Sequence, residues 1–194
     1  MIPLPALLER VLAPGADEFV QARLATWLAR GPRPRTVLDV GAGCRSLLRG
    51  AGLRPIGVDI VPRRVRAFTG GGSAGIVATA TVLPFTDRSI DLVWSCGLLH
   101  HLPDAAAAGA LREMLRVLRP GGRAAVVDGV LPEPAWRRPF AWAVRRADRG
   151  RFMRTERDLS SLLPERTAWR CARVVYARTG LEALWCTHDG AGEA

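Results

Sequence analysis

The chain has 194 residues, 48% of them hydrophobic and 24% charged, which is enough apolar material for one core and too much for a disordered tail. No apolar run approaches a membrane-spanning length, and the N-terminus lacks the basic stretch, apolar core and cleavage site of a secretory leader. A formal net charge of +10 and a pI near 11.2 point towards anionic partners, whether substrate, nucleic acid or bilayer, and say nothing about fold. Cys44, Cys96, Cys171 and Cys186 show no CxxC spacing and read as free thiols, from which a cytoplasmic location is expected.

In chain order, Asp17–Arg30 is a helix with Phe19, Val20, Leu24, Trp27 and Leu28 on one stripe, stopped by Arg30-Gly31-Pro32. "TVLDV" from Thr36 is a buried strand that enters a glycine turn; "LRPIGVDIV", "GIVATA" and "IDLVWSC" supply strands two, three and four. Such near-continuous apolar runs suit a parallel sheet covered on both faces. Asp104 is placed to cap a helix over "AAAAGALREMLRVLR", closed by Pro120-Gly121-Gly122, and "RAAVVDGV" is strand five. Leu131 to Pro164 turns basic and helical. Two last strands, "WRCARVVYA" and "EALWC", are joined by a turn at Thr179-Gly180, and a soft Gly/Ala tail follows Asp189. Strands alternating with helices predict a doubly wound, Rossmann-like α/β fold with seven mostly parallel strands, the last antiparallel.

The expected organisation is one domain over 1–194. Its parts are N-terminal helices (1–35), a cofactor-binding core (36–130), a basic helical cap (131–167) and C-terminal strands (168–188).

The chemistry concentrates in "TVLDVGAGCRSLL". After a first strand, Gly41 and Gly43 let the backbone approach a ligand closely, and the turn is expected to feed a helix. Asp59 closes strand two, 20 residues beyond Asp39, the spacing at which an acidic side chain holds ribose hydroxyls. A dinucleotide loop would need a third glycine at position 46, where Ser46 stands; Asp-x-Gly-x-Gly is instead the order of class I S-adenosylmethionine (SAM)-dependent methyltransferases. The likeness extends through "VLPFTDRSIDLVWSCGLLHHLPD" (Val82 to Asp104), "LREMLRVLRPGG" and strand five, so that Val37 to Val130 resembles the type-11 small-molecule methyltransferases.

That resemblance implies SAM as cofactor and S-adenosylhomocysteine as product. Asp39 and the Gly41-Ala42-Gly43 backbone face the methionine part in this reading. Asp59 takes the ribose, Ile60 packs on adenine, and Thr79-Ala80 sits at the adenine edge. Ser95, Cys96 and Gly97 lie beside the amino-acid end and the sulfonium. Two positions depart from the family: Arg45 replaces a frequent third glycine and is read as pointing to solvent, and Thr79 replaces an aspartate, keeping a hydroxyl acceptor without its charge. No metal is expected.

The acceptor side is less legible. His100 and His101 follow strand four on the ligand-binding edge, where an imidazole can deprotonate a hydroxyl, with Asp128 at the end of strand five as its orienting partner. His101 is placed ahead of His100; the alternative is that both only shape the helix entry. The expected reaction is O-methylation of a small molecule. A nucleic-acid methyltransferase is the alternative raised by the charge and lowered by "SCGL" where an Asn/Asp-Pro-Pro-aromatic tetrapeptide would stand; a non-catalytic SAM-binding protein is the other. In the basic segment Ala135–Arg157, Trp136, Phe140, Ala143, Val144 and Ala147 share one helical face. Arg138, Arg145 and Arg149 oppose them, with Trp142 among the arginines. The segment reads as a lid with a solvated arginine face, a cover over an anionic or lipid-like acceptor, or a helix docking on an anionic membrane. Trp169 and Trp185 are expected in the core.

Overall fold

In the computed structural model, which describes residues 13–146, 150–164, 168–177 and 180–190, one sheet carries seven strands. They are β1 (Val37–Val40), β2 (Ile56–Asp59), β3 (Gly75–Val77), β4 (Ile90–Cys96), β5 (Leu118–Val130), β6 (Trp169–Val175) and β7 (Glu182–Asp189). Their order is β3-β2-β1-β4-β5-β7-β6, with β7 antiparallel to both neighbours and the others parallel. The predicted fold class holds.

The pleat divides the core between two faces. Leu38, Val40, Val93, Ala124 and Val126 point to one side, where helix α3 (Asp104–Val117) covers them with Ala107, Leu111 and Met114. Val37, Leu92, Trp94, Ala125 and Val127 point to the other, beneath Val20, Leu24 and Trp27 of helix α1 (Ala16–Leu28). Asp39 shares the parity of Val37, which puts a carboxylate on the α1 side at the end of an otherwise apolar strand. Helix α2 (Pro62–Thr69) packs Phe68 against β2 so closely that a Cβ at Gly57 would come within 2.6 Å of its ring. Trp169 and Trp185 are buried, as expected.

Several expectations are corrected. The glycine turn feeds a five-residue 3-10 helix (Leu47–Ala51) instead of a full α-helix, because Gly52 adopts a left-handed φ of 73° and stops it. Asp104 does not cap α3: Pro103 holds the N-cap position, and Asp104 reaches out to Arg154. That helix ends at Val117, and Pro120-Gly121-Gly122 already belongs to β5. Cys171 and Cys186 are not free; they are opposite residues in the β6–β7 register, joined by a disulfide, while Cys44 and Cys96 remain thiols. Among the described residues no helix is long and apolar enough to cross a membrane.

The basic segment folds as a 3-10 turn (Ala135–Arg137), helix α4 (Pro139–Arg146) and helix α5 (Glu156–Ser161). Its expected faces hold for Val144, which packs against a small apolar cluster, and for exposed Trp142, but not for Trp136, Phe140 and Arg145. Ala141 and Arg145 are buried, whereas Trp136 is 74% and Phe140 56% exposed. Arg145 turns inward because it finds partners there, the Tyr176 hydroxyl and the Glu182 carbonyl (3.0 Å), and its guanidinium rests on Gly129. Arg138 donates to the Gly180 carbonyl at 3.1 Å. Ala147, Arg149, Thr179 and the tail from position 191 lie outside the described residues.

Candidate active site

The parallel strands bring Val40, Asp59, Val77 and Cys96 to one edge of the sheet, where ligands bind in open α/β folds. The turn after β1 is tied to β2 by its own donors. The N–H groups of Gly41 and Ala42 both donate to the Val58 carbonyl, at 2.8 and 3.0 Å, and Gly43 N–H donates to Asp59 Oδ2 at 3.1 Å. Gly41 and Gly43 have φ of 74° and 60°, a region costly for any side chain. A Cβ on Gly43 would meet open space, so the turn's outer surface is bare backbone; one on Gly41 would strike Leu98 at 2.8 Å.

Two carboxylates flank that turn, both buried. Asp59 accepts from Gly43 and, through Oδ1, from Val61 N–H at 2.8 Å, with the Arg64 guanidinium 3.6 Å away. Asp39 accepts from the Ser46 hydroxyl, which in turn caps the 3-10 helix by accepting Leu48 N–H. Burial pushes the Asp39 carboxyl up to about 7, against the opposing pull of the Ser46 hydrogen bond and the Arg49 charge. Ile60, beside Asp59, is 68% exposed, a large aliphatic side chain turned to solvent next to an acceptor pair.

Of the other cofactor candidates, Thr79 is part of a local turn, its hydroxyl 2.9 Å from that of Thr81 and accepting Thr81 N–H at 3.3 Å; Ala80 packs against the core. Ser95 donates to the Val40 carbonyl at 2.9 Å, pinning β4 to β1 at the edge. Burial and the Asp128 and Asp39 carboxylates push the Cys96 thiol up, so it stays protonated at neutral pH. Gly97 follows with a φ of 69°.

The post-β4 loop contains the histidines, and here the sequence reading is corrected. Asp128 orients His100, not His101. His100 Nδ1 lies 2.6 Å from Asp128 Oδ1, and the second carboxylate oxygen accepts Leu99 N–H at 2.6 Å. A carboxylate only accepts, so Nδ1 of His100 carries the proton and Nε2 is its basic nitrogen. The ring sits between two glycines: its Cε1 is 3.7 Å from where a Cβ of Gly97 would be, and its Cδ2 only 2.1 Å from that of Gly150. His101 tilts against the outer face of this ring, centroids 4.1 Å apart, and is exposed.

A residue that the motifs do not reveal holds this loop in place. Buried Arg154 donates to the Leu99 and Leu102 carbonyls at 2.8 and 2.7 Å and pairs with Asp104. Its only sequence signal is one arginine among many.

Arg45 also has a structural explanation. It points outward as expected, away from the turn, and there pairs with Asp17 at the start of α1, both side chains well exposed. Exposed pairs contribute about 0–1 kcal/mol. Arg45→Gly is therefore expected to leave S-adenosylhomocysteine affinity within about threefold and stability within that ~1 kcal/mol. Calorimetry showing a loss beyond about tenfold, which is ~1.4 kcal/mol, would place Arg45 in the binding machinery.

The strand order with one reversed strand, the glycine turn and the acidic β2 terminus together define a Rossmann-like methyltransferase fold. A SAM-dependent methyltransferase of Methanosarcina mazei superposes with a TM-score of 0.63 at 20% identity, covering 81% of this chain and 93% of that one. Residues 38–126, the stretch that runs from β1 into β5, match the family described as "Methyltransferase domain". An uncharacterized methyltransferase of Mycobacterium sp. (strain KMS) is 39% identical over 114 residues, covering 56% of this chain and 42% of the relative. A 2-methyl-6-phytyl-1,4-hydroquinone methyltransferase of Synechocystis is 35% identical over 132 residues, covering 59% and 41%. The chain thus spans less than half the length of these relatives.

Proposed function

We propose that this chain transfers the methyl group of SAM to the oxygen of a small, apolar, hydroxyl-bearing acceptor. The observation that carries the reading is the commitment of the turn's three N–H groups to β2. A pyrophosphate needs such donors turned outwards. This turn instead offers bare backbone at Gly43 between two buried carboxylates, which fits a cationic amino-acid end and a ribose diol.

Bound SAM supplies an electrophilic methyl on a sulfonium sulfur. The chain's share is to hold, align and deprotonate. Asp39 and the Gly41-Ala42-Gly43 backbone take the ammonium side, and Asp59 takes the ribose hydroxyls. Ile60 covers one adenine face, with Thr79 and Ala80 at its edge. Ser95 keeps the edge of β4 in register, and Cys96 and Gly97 border the methyl. His100, oriented by Asp128, receives the acceptor's proton on Nε2, and His101 shields the pair from solvent. The name of the Synechocystis relative, a 2-methyl-6-phytyl-1,4-hydroquinone methyltransferase, supports an acceptor of hydroquinone type with a lipid-like body.

The test is binding first, turnover second. Asp59→Ala removes charge-assisted bonds to a diol worth about 1.5–3 kcal/mol, an expected loss of roughly 10- to 150-fold in cofactor affinity. Because Asp59 also anchors Gly43 and Val61, Asp59→Asn is the companion variant, expected to retain part of the turn and an intermediate affinity. Unchanged affinity in folded Asp59→Ala would remove the assignment, and wild-type protein that binds the cofactor but methylates no phenol or quinol would remove the acceptor class.

A further inference from the structure

We infer that the aromatic and arginine surface of the cap is a docking face for an anionic lipid bilayer. Between Ala135 and Arg157 the sequence has eight arginines against two acidic residues, and the chain contains no lysine. Trp136, Phe140, Trp142 and Phe152 are all exposed, although each has the apolar bulk that normally goes inside. Arg145 and Arg154 occupy the buried positions of the segment in their stead.

The exposed arginines accompany the aromatics. Arg137 lies over the Trp136 ring at 5.2 Å and Arg146 over Trp142 at 5.7 Å, and Arg151 adjoins Phe152. None of these three arginines forms an ion pair with another described residue. Aromatic side chains flanked by guanidinium groups match the two layers of a membrane interface: ring bodies at the acyl boundary, planar cations on lipid phosphates.

Charge decides the occupant. A second copy would bring the same arginine-rich patch, on a molecule of net charge +10, against the first. Four aromatic side chains are also well short of the roughly 800 Å² per partner of a stable interface. Aromatics among arginines also suit RNA, but no RNA-binding module is recognisable, and the sheet carries helices on both faces. The location matters as well. Phe152 N–H donates to the His100 carbonyl at 3.0 Å, which sets this exposed aromatic beside the loop that holds the candidate base. Docking would set that loop against the bilayer. This consequence rests on the methyltransferase reading; the docking itself does not.

The experiment uses the full chain and phosphatidylcholine vesicles with and without phosphatidylglycerol. Of the six tryptophans, Trp27, Trp94, Trp169 and Trp185 are buried, so acrylamide quenching of the free protein reports on Trp136 and Trp142. Expected are co-sedimentation with phosphatidylglycerol vesicles at low salt, a blue shift, and protection from quenching. Each arginine within reach of the surface is worth about fivefold, so Arg137→Gln with Arg146→Gln should weaken binding about 25-fold. Trp136→Ser with Phe140→Ser should weaken it at least about tenfold with the thermal transition unchanged, since both positions are solvent-exposed.

Four results would each overturn the inference. They are absence of binding to phosphatidylglycerol vesicles, equal binding by both double variants, RNA binding without vesicle binding, and a concentration-dependent dimer that the aromatic variant abolishes. Tryptophans already shielded in the free protein would show that the chain covers this face itself, and would overturn it equally.

Discussion

His100→Ala is expected to lower the methyl-transfer rate by about 10²–10⁴ while cofactor affinity stays within about threefold. The imidazole owes its protonation pattern to Asp128, whose carboxylate fixes the proton on Nδ1 and so makes Nε2 the basic nitrogen. Asp128→Asn tests that dependence without removing bulk: an asparagine carbonyl can keep the Leu99 N–H bond while its amide donates to Nδ1 and forces the proton onto Nε2. A tautomer that cannot accept is not a base. The variant should lose about as much rate as His100→Ala, and the double variant little more than either, because the two residues act as a unit. Nitrogen-15 chemical shifts of the imidazole would report the tautomer switch without any acceptor. His101→Ala should cost less than about tenfold, its ring being a lid on the pair and not a member of it. A larger loss from His101→Ala than from His100→Ala, or an Asp128→Asn protein with unchanged tautomer and rate, would sink the assignment.

The sheet is legible in the sequence because the inner parallel strands β1, β2 and β4 are buried on both faces and so appear as short apolar runs, and because the acidic residues at Asp39 and Asp59 interrupt those runs only at their C-terminal ends. Their spacing follows from the fold: β1 and β2 are adjacent and parallel, with Val40 beside Val58, so the residues closing them meet across one turn. What the sequence conceals depends on partners far along the chain. Asp128 selects His100 over His101 because a single 3-10 turn (Leu99–His101) aims neighbouring side chains in different directions, and no periodicity encodes which one faces β5. Hydrophobicity alone ranks tryptophan above arginine, and so turns the aromatics of the cap inward. The Tyr176 hydroxyl and the Glu182 carbonyl, more than 30 residues downstream, reverse that ranking by giving Arg145 hydrogen bonds that hold it inside. The Cys171–Cys186 bond is likewise a matter of register: one residue of slip between β6 and β7 would place the two sulfurs on opposite faces.

Cofactor binding is expected to release about one proton, and affinity for S-adenosylhomocysteine to rise about tenfold per pH unit between about pH 5 and pH 7, then level off. The group responsible is Asp39. Without a ligand ammonium beside it, burial holds its carboxyl near 7, well above the ordinary 3.8, although Ser46 donates to it and Arg49 favours its ionised form. The sign for the free protein follows: the folded state binds the proton more tightly than the unfolded chain, so this residue's contribution to stability is complete below about pH 4 and declines as pH rises to about 7. A ligand ammonium reverses the balance. It favours the carboxylate, the proton leaves, and below pH 7 each binding event must pay for that ionisation. Calorimetry in two buffers of different ionisation enthalpy counts the protons directly. Asp39→Asn should bind more weakly at pH 8, should lose the slope between 5 and 7, and should release no proton. Asp59, Cys96, His100, His101 and Asp128 also carry ionisable side chains at this edge, and all remain in that variant. A slope that survives in Asp39→Asn would therefore shift the linkage to one of them, and a wild-type affinity flat across the interval would show that Asp39 does not meet the ammonium.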